Sequence, residues 1–103
     1  MPSTPASKRA SLPRASDFTK EFLKDWKRLS ASGRFNMADL KTVMLALIAD
    51  EGPLAPERKD RPLQGKLGAY RECHIGGDFL LVYELDDDSV IFVRAGTHAD
   101  LFE

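Results

Sequence analysis

The side chains in this chain best suited to moving protons are two histidines, His74 and His98, with Asp78 and Arg94 close to them in sequence. An unperturbed histidine titrates at about pH 6.5, so a pair can accept one proton and deliver another near neutrality. An RNA phosphodiester is cleaved without a metal when one group takes the 2′-OH proton, another protonates the departing 5′-oxygen, and a cation offsets charge on the phosphorus centre. A lone histidine at a strand end is more often a satisfied polar residue, so the inference depends on all four groups converging. Other chemistries find less support. Cys73 and His74 are adjacent, and neighbours on a strand face opposite ways, so they do not share a metal readily. The chain has no CxxC or HxxxH spacing, no phosphate-binding glycine loop and no GxSxG elbow. The expectation is therefore a site with no metal and no cofactor.

For these groups to meet, the second half of the chain must fold as a meander. Ala69–Ile75, Phe79–Glu84 (FLLVYE) and Val90–Arg94 (VIFVR) are strand-like, with turns at Gly76-Gly77 and Asp87-Asp88. Tyr70, Glu72 and His74 share one face of the first strand, and Arg71 and Cys73 the other. The third strand returns beside the start of the second, which brings Arg94 and the RAGTH loop towards Asp78 and the His74 end of the first.

Upstream, Phe18, Phe22, Leu23, Trp26 and Leu29 recur at helical spacing, with Ser16 or Asp17 as a cap and Gly33 beyond the end. Leu40, Val43, Met44, Leu47 and Ile48 form the stripe of a second helix over about Met37–Asp50, with Asn36 as its cap. The prediction is an α+β domain, with an N-terminal helical hairpin packed on a small, mainly antiparallel sheet. Gly52–Gly68 reads as a long loop. Residues 1–16 read as an N-terminal extension in which Ala10–Ala15 could form a short edge strand, and residues 17–103 as the domain.

A chain of 103 residues has room for one modest core. It lacks a membrane-length apolar run and a secretory signal, so the expectation is a cytoplasmic protein with no membrane role. A single cysteine forms no internal disulfide. The formal net charge of −1 is unusual for a nucleic-acid binder, which makes the distribution more informative than the total. Lys8, Arg9 and Arg14 are unopposed in sequence. Arg58, Lys59, Arg61, Lys66 and Arg71 cluster against Asp60 alone. That cluster is either a phosphate-binding face or a solvated loop.

Two strings carry a resemblance: KDRPLQGKLGAYRECHIGGDFLLVYEL from Lys59 and VIFVRAGTHADLF from Val90. Together with the preceding hairpin, over about residues 17–103, they resemble the YafQ branch of the RelE/ParE toxin superfamily. The resemblance implies a RelE-like fold and ribosome-dependent cleavage of messenger RNA that arrests translation. The implied partners are the ribosome with its mRNA and a cognate DinJ/RelB-like antitoxin, giving a hetero-oligomer. By matching position it implies His98 as general acid, Asp78 or His74 as the base or its orienting group, and Arg94 on the scissile phosphate. Phe79 and Phe102 would stack on bases, and Arg61, Lys59, Lys66 and Arg71 would contact the substrate. The chain has Arg61 where the family commonly has a catalytic histidine, and Phe79 where tryptophan is commoner. Arginine does not exchange protons near neutrality but grips phosphate through its fork. The alternatives are a ParE-like gyrase-binding toxin and a toxin that has lost catalysis and retains antitoxin binding.

Overall fold

The computed structural model describes residues 12–64 and 69–102. Lys66 lies outside the described residues. The elements are β1 (Ala15–Phe18), α1 (Lys20–Ser32), α2 (Met37–Ala49), a single 3₁₀ turn (Pro56–Arg58), β2 (Arg61–Pro62), β3 (Arg71–Gly76), β4 (Phe79–Leu85), β5 (Ser89–Thr97) and α3 (His98–Phe102). They form one five-stranded sheet in the order β1-β5-β4-β3-β2. β1 runs parallel to β5, and every other pairing is antiparallel. The two long helices bury Phe22, Leu29, Leu40, Val43 and Leu47 against Cys73, Ile75, Phe79, Leu81, Tyr83, Val90, Phe92 and Ala95 of the sheet. The expected helices-on-sheet α+β architecture is the observed one.

The N-terminal elements start later than their pattern suggests. Phe18 continues the apolar stripe of α1 in sequence, yet it belongs to β1, and the helix is capped by Thr19 rather than Ser16 or Asp17. The Thr19 hydroxyl accepts from the Phe22 backbone N–H at 3.0 Å and donates to the Val93 carbonyl at 2.7 Å. Val93 is the extra residue of a bulge, since Val82 pairs with Arg94 while Tyr83 pairs with Phe92. One hydroxyl therefore both starts the helix and fastens it to the irregular point of β5. The edge strand observed is Ala15–Phe18; of the expected Ala10–Ala15, residues 10–11 lie outside the described residues and residues 12–14 are not strand. Asp17 turns back on its own chain and accepts from the Phe18 N–H at 2.8 Å.

Arg14 is not unopposed. It forms an ion pair with Asp50 at 3.0 Å and donates to the Leu47 carbonyl at 2.7 Å and the Asp86 carbonyl at 2.9 Å. These contacts tie the start of β1 to the end of α2 and to the β4–β5 turn. That turn is closed by Asp86, whose carboxylate accepts from the Asp88 and Ser89 N–H groups, both at 2.8 Å. Those backbone donors hold it below the usual carboxylate range. α2 begins at its expected cap, with Asn36 Oδ1 accepting from the Asp39 N–H at 3.0 Å. The expected long loop contains β2, which pairs Arg61 with Glu72 and Pro62 with Arg71.

Thr19→Ala removes the cap and leaves the Val93 carbonyl without its donor, so a loss of about 1–2 kcal/mol is expected. Urea unfolding measures it. Thr19→Ser, which keeps both hydrogen bonds, should recover most of the loss.

Candidate active site

The β3–β4 connection is a two-residue turn, Gly77–Asp78, with Gly77 at φ 54°, a conformation that tight hairpins assign to glycine. The turn projects Asp78 from the sheet end. β5 runs back alongside β4 until Thr97 lies opposite Phe79, and the chain then enters α3 at His98. The His98 backbone N–H donates to Asp78 Oδ1 at 3.2 Å, joining the two chain segments. His74, Leu80 and Gly96 occupy one row across β3, β4 and β5. Two strand spacings place the His74 backbone about 10 Å from that of Gly96, two residues before His98. The His98 ring packs on Phe102 with centroids 5.0 Å apart. Asp78 and His98 thus meet directly at this sheet end, with His74 on the neighbouring strand two spacings from Gly96.

A buried carboxylate holds this end of the sheet to α1. Asp25, 4% exposed, accepts from Arg94 Nε at 2.6 Å, Arg94 Nη2 at 3.1 Å, the Ala95 N–H at 3.0 Å and Arg28 Nη2 at 3.2 Å. Arg28 also reaches Asp100 at 3.3 Å, and Asp100 accepts from the Thr97 N–H at 3.0 Å. The chain of contacts thus runs from α1 through β5 to the first turn of α3, either side of His98. Its hydrogen bond to Asp25 raises the Arg94 pKa, so the guanidinium stays charged. Gly96 lets the chain pass beneath Asp100. At φ 155°, a Cβ there would stand 2.9 Å from Asp100 Oδ2.

The loop before β3 is anchored separately. The Tyr83 hydroxyl donates to Asp60, and Arg71 forks onto the same carboxylate at 3.2 and 3.3 Å. Burial pushes the Tyr83 phenol up, so it remains a neutral donor. Next in the chain, Arg61 Nε meets Glu72 Oε2 at 2.8 Å. Glu72 is 1% exposed, whereas the Arg61 side chain is 65% exposed, and its terminal amines make no hydrogen bond among the described residues. Cys73 lies in the core, where burial raises its thiol to about 12, so it is neither a nucleophile nor a ready metal ligand near neutral pH. Among the described residues no group of three or more His, Cys, Asp or Glu side chains converges as a metal site.

The family described as "Bacterial toxin of type II toxin-antitoxin system, YafQ" matches residues 14–103. The mRNA interferase toxin YafQ of Escherichia coli K12 is 40% identical over 86 residues, covering 84% of this chain and 92% of that protein. A crystal structure of YafQ from E. coli BL21(DE3) superposes with a TM-score of 0.81 at 38% identity, over 87% of this chain and 99% of that one. The E. coli DinJ-YafQ toxin-antitoxin complex matches with a TM-score of 0.81 at 38% identity, over 88% and 99%.

The chain belongs to the YafQ family of bacterial type II toxins.

Against this YafQ-type frame, the sequence-predicted residues fall into three groups. His74, Asp78 and His98 gather at the sheet end, with Phe102 beside His98. Arg94 enters through its partner: Nε and Nη2 are fixed on Asp25, and among the described residues Nη1 makes no hydrogen bond. Phe79 is 5% exposed and packs on Phe35 with centroids 4.9 Å apart, a core position that shows little ring face to solvent. The basic cluster is not one free face. Arg71 is held by Asp60 at the opposite end of β3 from His74, and Arg58 donates to the Ile75 carbonyl at 2.7 Å. Lys59 is exposed in the left-handed region at φ 49°, and among the described residues it and the outer end of Arg61 are the cations of this stretch most open to solvent.

Sequence reasoning passed over Asp25, Glu72 and Asp100. Asp25 had a readable signal: it lies three residues after Phe22 and four before Leu29, so the helix turns a carboxylate onto its buried stripe. A buried acid implies a cationic partner, and Arg94 is that partner.

Two outcomes follow for this YafQ-family chain. Gly96→Ala should cost about 1–3 kcal/mol through backbone strain and collision with Asp100, read as a lowered Tm. The Thr97 N–H, with Arg28 assisting, holds Asp100 below the usual carboxylate range. A depressed folded pKa contributes stability that is present above the unfolded value and lost as pH falls through the folded one. The Thr97 amide should therefore stay protected from hydrogen exchange at pH 5 and lose protection only in stronger acid.

Proposed function

We propose that this YafQ-family toxin is a metal-independent endoribonuclease that cuts messenger RNA in the ribosomal decoding site and arrests translation. The observation that carries the reading is the His98 N–H bond to Asp78 at 3.2 Å, which fixes one histidine at the sheet end where His74 also lies. In this reading His74 takes the 2′-OH proton as the 2′-oxygen attacks phosphorus. His98 protonates the 5′-oxygen as the P–O5′ bond breaks. The products are a 2′,3′-cyclic phosphate and a 5′-hydroxyl. Asp78 has one oxygen committed to the His98 backbone, which suits it to orienting the acid rather than serving as the base. The outer end of Arg61 and Arg94 Nη1 supply fixed positive charge to the phosphate oxygens. Arg61 contributes charge where relatives commonly have histidine, so proton transfer falls to the other two groups.

The match to an E. coli toxin named an mRNA interferase supports the reaction class. The match to a DinJ-YafQ complex supports a DinJ-like antitoxin as the resting partner, in a hetero-oligomer. No helix among the described residues is long and apolar enough to cross a membrane, and the proposed site of action is the cytoplasm.

Primer extension on an mRNA in a translating extract tests this, with the purified protein and with ribosomes present or absent. Expected are discrete cuts that need ribosomes, carry 5′-hydroxyl ends and fall at least about a hundredfold with His98→Ala. Absence of cuts from folded protein under all conditions would overturn the nuclease reading. Inhibition of gyrase supercoiling instead would place the chain with the ParE-like toxins.

A further inference from the structure

A recess of about 400 Å³ opens beside the catalytic turn, between the α1–α2 loop and the β3–β4 turn. It is large enough for one nucleobase, at the lower end of the usual range of ligand pockets. Its apolar wall is mainly the half-buried Phe35, backed by the buried Phe79 and Ile75, and Arg34 lies over the Phe35 ring at 5.4 Å. Its polar groups are few and asymmetric. Asn36 Oδ1 is committed to the Asp39 N–H. The Asp39 carboxylate receives no hydrogen bond from any donor among the described residues, although it lines the recess. Asp78 lines it too, with its second oxygen free of the His98 bond. Thr97, directly before His98, completes the rim, so the recess and the candidate active site share a wall.

Two carboxylates beside one arginine argue against a phosphate as occupant. An apolar wall with an acceptor-only carboxylate at its edge suits a planar base that presents N–H groups. Adenine, cytosine and guanine each offer an exocyclic amine. Uracil offers two carbonyl oxygens around a single N–H, and an unpaired carboxylate facing a carbonyl is unfavourable.

We propose that this recess binds the base of a nucleotide flanking the scissile phosphate, and that Asp39 selects an amino-bearing base over uracil there. The proposal rests on the nuclease reading above and adds its substrate selectivity. Asp39 stands in the first turn of α2, away from the proton-transfer groups, so it sets preference rather than chemistry.

The test is single-turnover cleavage of ribosome-bound mRNAs that differ by one base at each nucleotide flanking the cut. The wild-type protein should prefer an amino-bearing base over uracil by about tenfold or more at one of these positions. Asp39→Asn and Asp39→Ala should each reduce that ratio to about threefold or less, by slower cutting beside the amino-bearing base, faster cutting beside uracil, or both. A thermal melt of each variant confirms that it is folded. If the wild-type protein cuts and its ratio persists in both folded variants, the recess proposal fails and the nuclease reading stands. Equal cutting of all four bases by the wild-type protein likewise overturns the recess alone. No cutting by the wild-type protein overturns both.

Discussion

A single carboxylate that solvent scarcely reaches governs the arrangement of this molecule's working end. Asp25 sits on the buried stripe of α1 and accepts hydrogen bonds from Arg94, Ala95 and Arg28. Burying a charge is unfavourable unless it is matched, and here two guanidinium groups and a backbone amide match it. Once Asp25 is in place, the end of β5 cannot shift without leaving a charge unpaired. Arg28 extends the restraint to Asp100, and Asp100 to Thr97. His98 lies between these anchors and is tied by its own amide to Asp78. Its backbone is held from three sides, while its ring remains exposed beside Phe102.

The same logic accounts for a near-neutral protein in a role that usually calls for a basic one. Five of the seven arginines among the described residues have carboxylate partners: Arg14 with Asp50, Arg28 with Asp25 and Asp100, Arg61 with buried Glu72, Arg71 with Asp60 and Arg94 with Asp25. Such pairing does not remove a cation from use. A guanidinium has five donors, and Arg61 uses its Nε on Glu72 while its terminal amines make no hydrogen bond among the described residues. Orientation then substitutes for quantity, since a pre-aimed cation loses less freedom on meeting a phosphate than a mobile lysine does. The clamp of Asp60 by Tyr83 and Arg71 gives the residue before Arg61 a rigid base.

What the sequence disclosed depends on how local the deciding interaction is. The meander was legible because FLLVYE and VIFVR sit between turn residues, and its register alone predicts that Asp78 meets the chain after Arg94. The start of the fold is not legible locally, because Phe18 fits the helical stripe of Phe22 and Trp26 yet lies in β1. What assigns Phe18 to a strand is its pairing with Phe92 on a parallel neighbour, a contact 74 residues distant that no local pattern contains. The partners of the cations escape local reading for the same reason: Asp50 is far from Arg14 in sequence, and Glu72 answers Arg61 across a strand pair. Asp25 is the intermediate case. Its position on an apolar stripe was visible, and its meaning was visible only once Arg94 stood opposite.

The most direct test of this account is the single-turnover rate of mRNA cleavage on programmed ribosomes by Asp25→Asn, compared with wild type at a temperature where both are folded. The substitution keeps the shape of the side chain and removes the charge that organises the sheet end. Asp25 touches no substrate in this account, so any effect on rate acts through Arg94 and the His98 segment. The account predicts a folded protein, destabilised by about 1–3 kcal/mol, that cleaves at least about tenfold more slowly. A folded variant that cleaves at the wild-type rate would contradict the claim that this carboxylate positions the catalytic end.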